Sequence, residues 1–330
     1  LIGGAWLATG CAQTRREPAA REAAQPPPSR PRRALENSNA APPGNVNREK
    51  TGATNEPEAN GERSGASAPA FFDAALGKAL AERGVKPEQV CDMTDAVSRR
   101  VMEDYGAMFV ASSQVLPPPV CMFASSSDVT RFQQEAKFTT ETISGTRVEL
   151  QPAAMKALLD AREEARKLGS DITPRGGSEA ARRGYDDTLR LWNSRFLPAL
   201  TYWRGRGRLS AEQVAQLRRA TLHEQVREVL ELEKKGIFFS KDLSKSILYS
   251  VAAPGASQHL SMLAFDASQF GDARVRRILA RHGWFQTVKS DLPHFTYLGV
   301  EEKDLPALGL RRVEANGHVF WIPNVRDEKK

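Results

Sequence analysis

The chain has 330 residues, of which 40% are hydrophobic and 26% charged, and a formal net charge of +7 at pH 7. That apolar content supports one sizeable core and excludes a large multidomain protein. The positive charge is spread along the sequence, with no stripe of Lys and Arg interleaved with aromatics, so no nucleic-acid partner is expected.

Residues 1–11, "LIGGAWLATGC", are too short to span a bilayer and read as the tail of a secretory signal. The small residues before Cys11 resemble the lipobox of bacterial lipoproteins, although Leu7 stands one position further upstream than the usual pattern. That resemblance implies a lipid on Cys11 and attachment to a membrane. Residues 12–70 are rich in Pro, Ala, Glu, Arg and Gly and nearly free of large apolar side chains. Such a stretch buries too little surface to offset its ordering entropy, so a disordered tether is expected. About 60 flexible residues give an end-to-end distance of roughly 40–45 Å. In an exported protein, Cys91 and Cys121 meet an oxidising compartment and are expected to pair. Closing that loop would contribute about 3–4 kcal/mol in the chain-entropy model.

Folded structure is expected from Phe71, with a helical and strand-bearing subdomain over 71–145 and a second domain over 146–330. "FFDAALGKALAERG" has helical spacing and stops at Gly84; "AMFVASSQV" and "TRVEL" read as strands. Met155, Leu158, Ala161, Ala165 and Leu168 mark one face of a helix ending near Gly169. "SEAARRGYDDTLRLWNSRF" reads as a second helix. A third runs from Ser210, which with Gln213 forms a capping-box pattern, to Gly236. Beyond Gly236 come short β-like runs ("SILYSVAA", "MLAFDA", "WFQTV", "HFTYLGV", "HVFWIP") around one helix, "DARVRRILARHG". Helices followed by a strand-rich half predict an α+β fold with a mainly antiparallel sheet.

Of five histidines, His282 sits at a helix end, His223 on a polar helix and His318 beside an expected "NG" turn, and all three read as structural or solvated. His259 and His294 differ. Each has a carboxylate at a patterned offset: Asp266 seven residues after the first, Asp291 three residues before the second. A lone His beside a strand is commonly a hydrogen-bonded structural residue; the other reading is a metal site with His259 and Asp266 as two ligands and a third further on.

These residues resemble the zinc D-alanyl-D-alanine carboxypeptidases and dipeptidases of the VanY and VanX type, which share a fold with hedgehog signalling domains. Their signature is S-x-H-x-x-G-x-A-x-D followed by E-x-x-H and an aromatic. "SQHLSMLAFD" supplies Ser257, His259, Ala264 and Asp266; "DLPHFTYLG" supplies Asp291, His294 and Phe295. The resemblance covers roughly residues 171–300. It implies a Zn²⁺ cofactor on His259, Asp266 and His294, with a fourth position left open. It further implies Asp291 as general base, Ser257 as a substrate-binding residue and peptidoglycan peptides as substrate. An Arg that binds substrate and stabilises developing charge is implied upstream. Arg175 falls nearest, two positions early, with Arg182 and Arg183 as fallbacks.

Two departures stand out. The family Gly after the first His is Met262 here, although His259 and Asp266 reach one ion only if the chain bends between them. The family Glu before the last His is Asp291, one methylene shorter. A non-catalytic wall-binding lipoprotein with the same fold, and an endopeptidase cutting cross-links, remain as alternatives to the exported carboxypeptidase.

Overall fold

A computed structural model describes residues 70–326 of the chain, all within one compact unit. Cys11 and the expected tether up to residue 69 lie outside the described residues. The first helices are α1 (Phe72–Ala81), α2 (Pro87–Val90) and α3 (Ala96–Tyr105). The Asp95 carboxylate caps α3 by accepting from the Ser98 N–H. The strand expected at 107–115 is instead a buried 3-10 helix, Gly106–Val110. A continuous apolar run fits either conformation, and periodicity alone does not separate them. Ser125 then caps α4 (Ser126–Ala136).

The strands β1 (Thr139–Ile143) and β2 (Thr146–Leu150) form an antiparallel hairpin. Its two-residue turn, Ser144–Gly145, has positive φ at both positions, which matches the twist of the flanking strands. Helix α5 (Pro152–Lys167) starts on a proline and buries Met155, Leu158, Ala161 and Ala165, as their spacing predicts. Leu168 lies past the helix end and is exposed.

The expected second helix is divided. Residues Gly177–Ala180 form a 3-10 turn, and α6 (Tyr185–Gly205) begins only after Gly184, whose N–H donates to the Asp187 carboxylate. The expected third helix is likewise two, α7 (Ala211–Arg219) and α8 (Leu222–Lys234). Thr221 and Glu224 close a capping box there and start a new helix.

The strand-rich half contains α9 (Ala273–Arg281) between short strands: β3 (Ala264–Asp266), β4 (Trp284–Phe285), β5 (His294–Tyr297), β6 (Leu310–Ala315) and β7 (His318–Pro323). "SILYSVAA" forms a 3-10 turn at Ile247–Tyr249 instead of a strand. The fold is α+β as expected, but its strands are divided among small antiparallel sheets: β1-β2, β3-β5-β4 and β6-β7. A buried apolar cluster extends from Phe72 to Trp321 and is fed by both halves of the chain.

Cys91 and Cys121 are joined by a disulfide, with a Cα–Cα distance of 5.3 Å. This suggests an oxidising compartment. Among the described residues, no helix is long and apolar enough to cross a membrane.

Candidate metal centre

The central sheet brings two of the predicted ligands together directly. Asp266, at the end of β3, stands opposite His294, the first residue of β5, in antiparallel register. Cross-strand partners point their side chains to one face. His259 comes from the 3-10 turn Gln258–Ser261 that precedes β3. Met262, at the position of the family glycine, caps that turn with φ 58° and ψ 28°. The left-handed conformation therefore supplies the bend that brings His259 back towards Asp266. It costs a non-glycine residue about 1–2 kcal/mol, which the complete burial of the Met262 side chain offsets. Upstream, Gly255 holds the turn against the preceding chain. Its carbonyl accepts from the Phe123 N–H at 2.9 Å, and a Cβ there would lie 2.1 Å from the Phe123 oxygen.

All three side chains are buried, and one donor atom from each converges. His259 Nε2 lies 3.1 Å from His294 Nδ1 and 3.4 Å from Asp266 Oδ1, which is 3.2 Å from His294 Nδ1. The outer hydrogen bonds decide which atoms carry protons. His259 Nδ1 is 2.9 Å from the Ala181 carbonyl, an acceptor, so Nδ1 carries the hydrogen and Nε2 is a bare lone pair. The Gln258 amide nitrogen donates to the Tyr105 carbonyl at 2.8 Å, which turns Oε1 towards His294 Nε2 at 2.7 Å. In the neutral ring, His294 Nε2 then carries the hydrogen and Nδ1 the lone pair.

The 3.1 Å His–His contact is therefore a meeting of two acceptors, not a hydrogen bond. With the Asp266 oxygen it forms a trio of acceptors that have no proton to share. Burial, and then the Arg183 charge, lower the His259 pKa to about 4, so its imidazole is neutral at neutral pH. Donors at about 2.0–2.1 Å around a tetrahedral Zn²⁺ stand about 3.3–3.4 Å apart. Edges of 3.1, 3.2 and 3.4 Å fit such an ion. His259, Asp266 and His294 could thus hold a metal.

The next layer orients these donors in the way metal ligands require. Arg183 Nη2 donates to Asp266 Oδ2 at 2.9 Å, leaving Oδ1 to face the histidines. Thr296 Oγ donates to Gln258 Oε1 at 2.5 Å, and Thr287 Oγ lies 2.7 Å from Thr296 Oγ.

A cleft of about 250 Å³ opens onto the two histidines of the trio. His259 and His294 line it with Ser257, Asp291, Arg183 and Arg195. Residues 291–294 form a turn closed by the His294 N–H donating to the Asp291 carbonyl at 3.2 Å, which brings Asp291 to this cleft. Burial raises the Asp291 carboxyl above its ordinary value, and the adjacent Asp266 charge adds to the rise; His294, Arg183 and Arg175 oppose it. Arg175 stands apart from the cleft wall. Its N–H donates to the Asp266 carbonyl at 2.8 Å, while its guanidinium lies exposed over the Phe270 ring, 5.2 Å from the centroid.

Gln258 and Arg195 escaped the sequence reading, and Arg183 entered it only as a fallback. A signal for Gln258 was present: a glutamine inside an apolar run must find buried partners for both ends of its amide. The remaining histidines are accounted for elsewhere: His223 on Asp95, His282 on Glu164 and His318 on Gln286. No family model and no curated protein matches this chain.

Proposed function

We propose that this chain is an exported, zinc-dependent hydrolase of the D-alanyl-D-alanine carboxypeptidase kind, acting on peptidoglycan stem peptides and tethered through a lipid on Cys11. The observation that carries the reading is the convergence of three proton-free acceptors from His259, Asp266 and His294, a group that a cation stabilises. The motif resemblance around those residues supplies the substrate class and the choice of zinc. When bound, Zn²⁺ supplies Lewis acidity and lowers the pKa of water at its open position towards about 7.

The chain's own groups have separate tasks. Asp291 takes a proton from the attacking water and returns it to the leaving amine, and its raised pKa makes it a better base than an exposed aspartate. Arg183, already turned towards Asp266, stabilises charge developing on the scissile oxygen. Arg195 is half-buried in the cleft wall, where Ser250 and Ser194 hold its guanidinium, and with Ser257 it receives the terminal carboxylate of the substrate. The resemblance assigned this recognition to Arg175; the exposed position of that side chain favours Arg183 and Arg195.

The test is turnover of an acylated peptide ending in D-Ala-D-Ala by zinc-loaded protein, with products weighed by mass spectrometry. Release of a single D-Ala is expected. Asp291→Asn is expected to lower kcat by roughly 10²–10⁴-fold while zinc is retained. Cleavage only at an internal bond of cross-linked fragments would make the protein an endopeptidase. No cleavage at all would make it a metal-bearing wall-binding module.

A further inference from the structure

The cleft over the metal centre is small. At about 250 Å³ it falls below the roughly 300–1,000 Å³ usual for a ligand site, so it houses the reacting end of a substrate and little more. A larger cavity, about 670 Å³, adjoins it. The two share Leu248, Tyr249, Val288 and Ser290 as walls. The loop between β4 and β5 forms the ridge between them. Lys289 lines the larger cavity, whereas Asp291 and His294 line the metal cleft. Tyr249, on the shared wall, is 48% exposed, a large aromatic surface placed where an extended ligand would cross.

The larger cavity has a charge bias. Its lining holds five cationic and three acidic side chains. Arg100 is paired with Asp104 at 2.6 Å and Arg326 with Asp73 at 3.8 Å. Lys289 and Arg311 have no hydrogen-bonded carboxylate among the described residues, and both are exposed. The elements forming this cavity include α1, α3 and the β6-β7 hairpin, most of them outside the region that carries the motifs.

We propose that this cavity is a second binding subsite for the acidic, non-reacting portion of an elongated peptide substrate, with Lys289 and Arg311 receiving its carboxylates. The proposal rests on the hydrolase reading above and extends it. The substrate runs from the metal cleft across Tyr249 and over the 287–291 ridge, so the segment remote from the cut bond carries negative charge. The cavity then adds affinity and discrimination that the small cleft cannot supply.

Two measurements test this separately from the chemistry. The first is calorimetric titration of metal-free protein with triglutamate amide and with triglutamine amide, neither of which needs to be cut. Triglutamate is expected to bind, with an affinity that falls with salt and drops roughly tenfold in Lys289→Glu/Arg311→Glu, since each exposed charge contact contributes modestly. Equal binding of triglutamine, no binding of triglutamate, or an unaltered affinity in the double variant would overturn the subsite. The second is turnover of a D-Ala-D-Ala dipeptide and of a longer acidic peptide with the same terminus. The double variant is expected to lower kcat/KM for the longer peptide roughly tenfold more than for the dipeptide. Equal losses on both would overturn the proposal. If the parent cuts neither, the hydrolase reading fails, and the titration still reports whether the cavity binds acidic peptide.

Discussion

Gln258 has to satisfy four groups at once while almost wholly buried at the foot of the cleft. It is 1% exposed, donates to the Tyr105 carbonyl, and accepts from His294 and Thr296, with Thr287 at 3.5 Å. Its effect on a bound metal would be indirect: it decides which His294 nitrogen is bare. Gln258→Leu leaves the His294 Nε2–H without a partner and frees the ring to turn. A loss of 10–100-fold in metal affinity is expected, read by competition with a chelator. Gln258→Glu keeps an acceptor at the same place and should restore most of that affinity, which a variant that merely loosened the core would not do. The motif resemblance picks out His259, Asp266 and His294, and the structure gathers these three into one group that could hold a metal. The orienting partners are less legible. Ala181 contributes only a carbonyl oxygen, and no side-chain pattern announces a carbonyl.

At the scale of elements, the long periodic helices α1, α5 and α9 could be read from sequence because apolar spacing and end signals agree. Elsewhere the deciding cue is either very local or ambiguous between helix and strand. "TLHE" breaks a 27-residue pattern into α7 and α8 through its capping box, a signal as local as the Ser210 cap that was read. Met262 conceals its conformation for the opposite reason. Nothing in a methionine advertises a positive φ, and only the position of the family glycine points to one. The contact between α3 and α8 offers a pH test. Asp95 caps α3 and pairs with His223 and Arg227 of α8 at 2.9 and 3.2 Å. Burial would raise its carboxyl, but the Ser98 N–H and His223 lower it from 3.8 to about 2. A carboxylate with a depressed folded pKa contributes stability above its unfolded value and loses it as pH falls through the folded one. The parent should therefore lose about 1 kcal/mol more than Asp95→Asn between pH 4 and pH 2, a small figure because solvent reaches the pair. Urea denaturation of both proteins across that range provides the check; parallel curves would remove the cap–helix ion pair from the account.

For the whole molecule, the disulfide and the core explain how a site assembled from distant segments stays in register. Cys121 follows Cys91 by 30 residues and donates its N–H to the Val90 carbonyl at 2.8 Å. Two residues later Phe123 meets Gly255, just ahead of Ser257, Gln258 and His259. The N-terminal half is thereby fastened to the turn that presents the first ligand. Replacing both cysteines by alanine should lower the unfolding free energy by about 2–4 kcal/mol in denaturant titrations. An unchanged midpoint would mean that the bridge constrains little. The pairing follows from the cysteine count once export is expected from residues 1–11. The division of the strands into small sheets was not, because short β-like runs do not reveal their partners.

The claim on which the rest depends is that His259, Asp266 and His294 hold a metal. Elemental analysis of protein purified without chelator, beside His259→Ala and His294→Ala, tests it most directly. The account predicts close to one zinc per chain in the parent and little in either variant, with each variant still folded by circular dichroism. A folded parent that takes up no zinc when supplied with it, or variants that retain stoichiometric zinc, would contradict it.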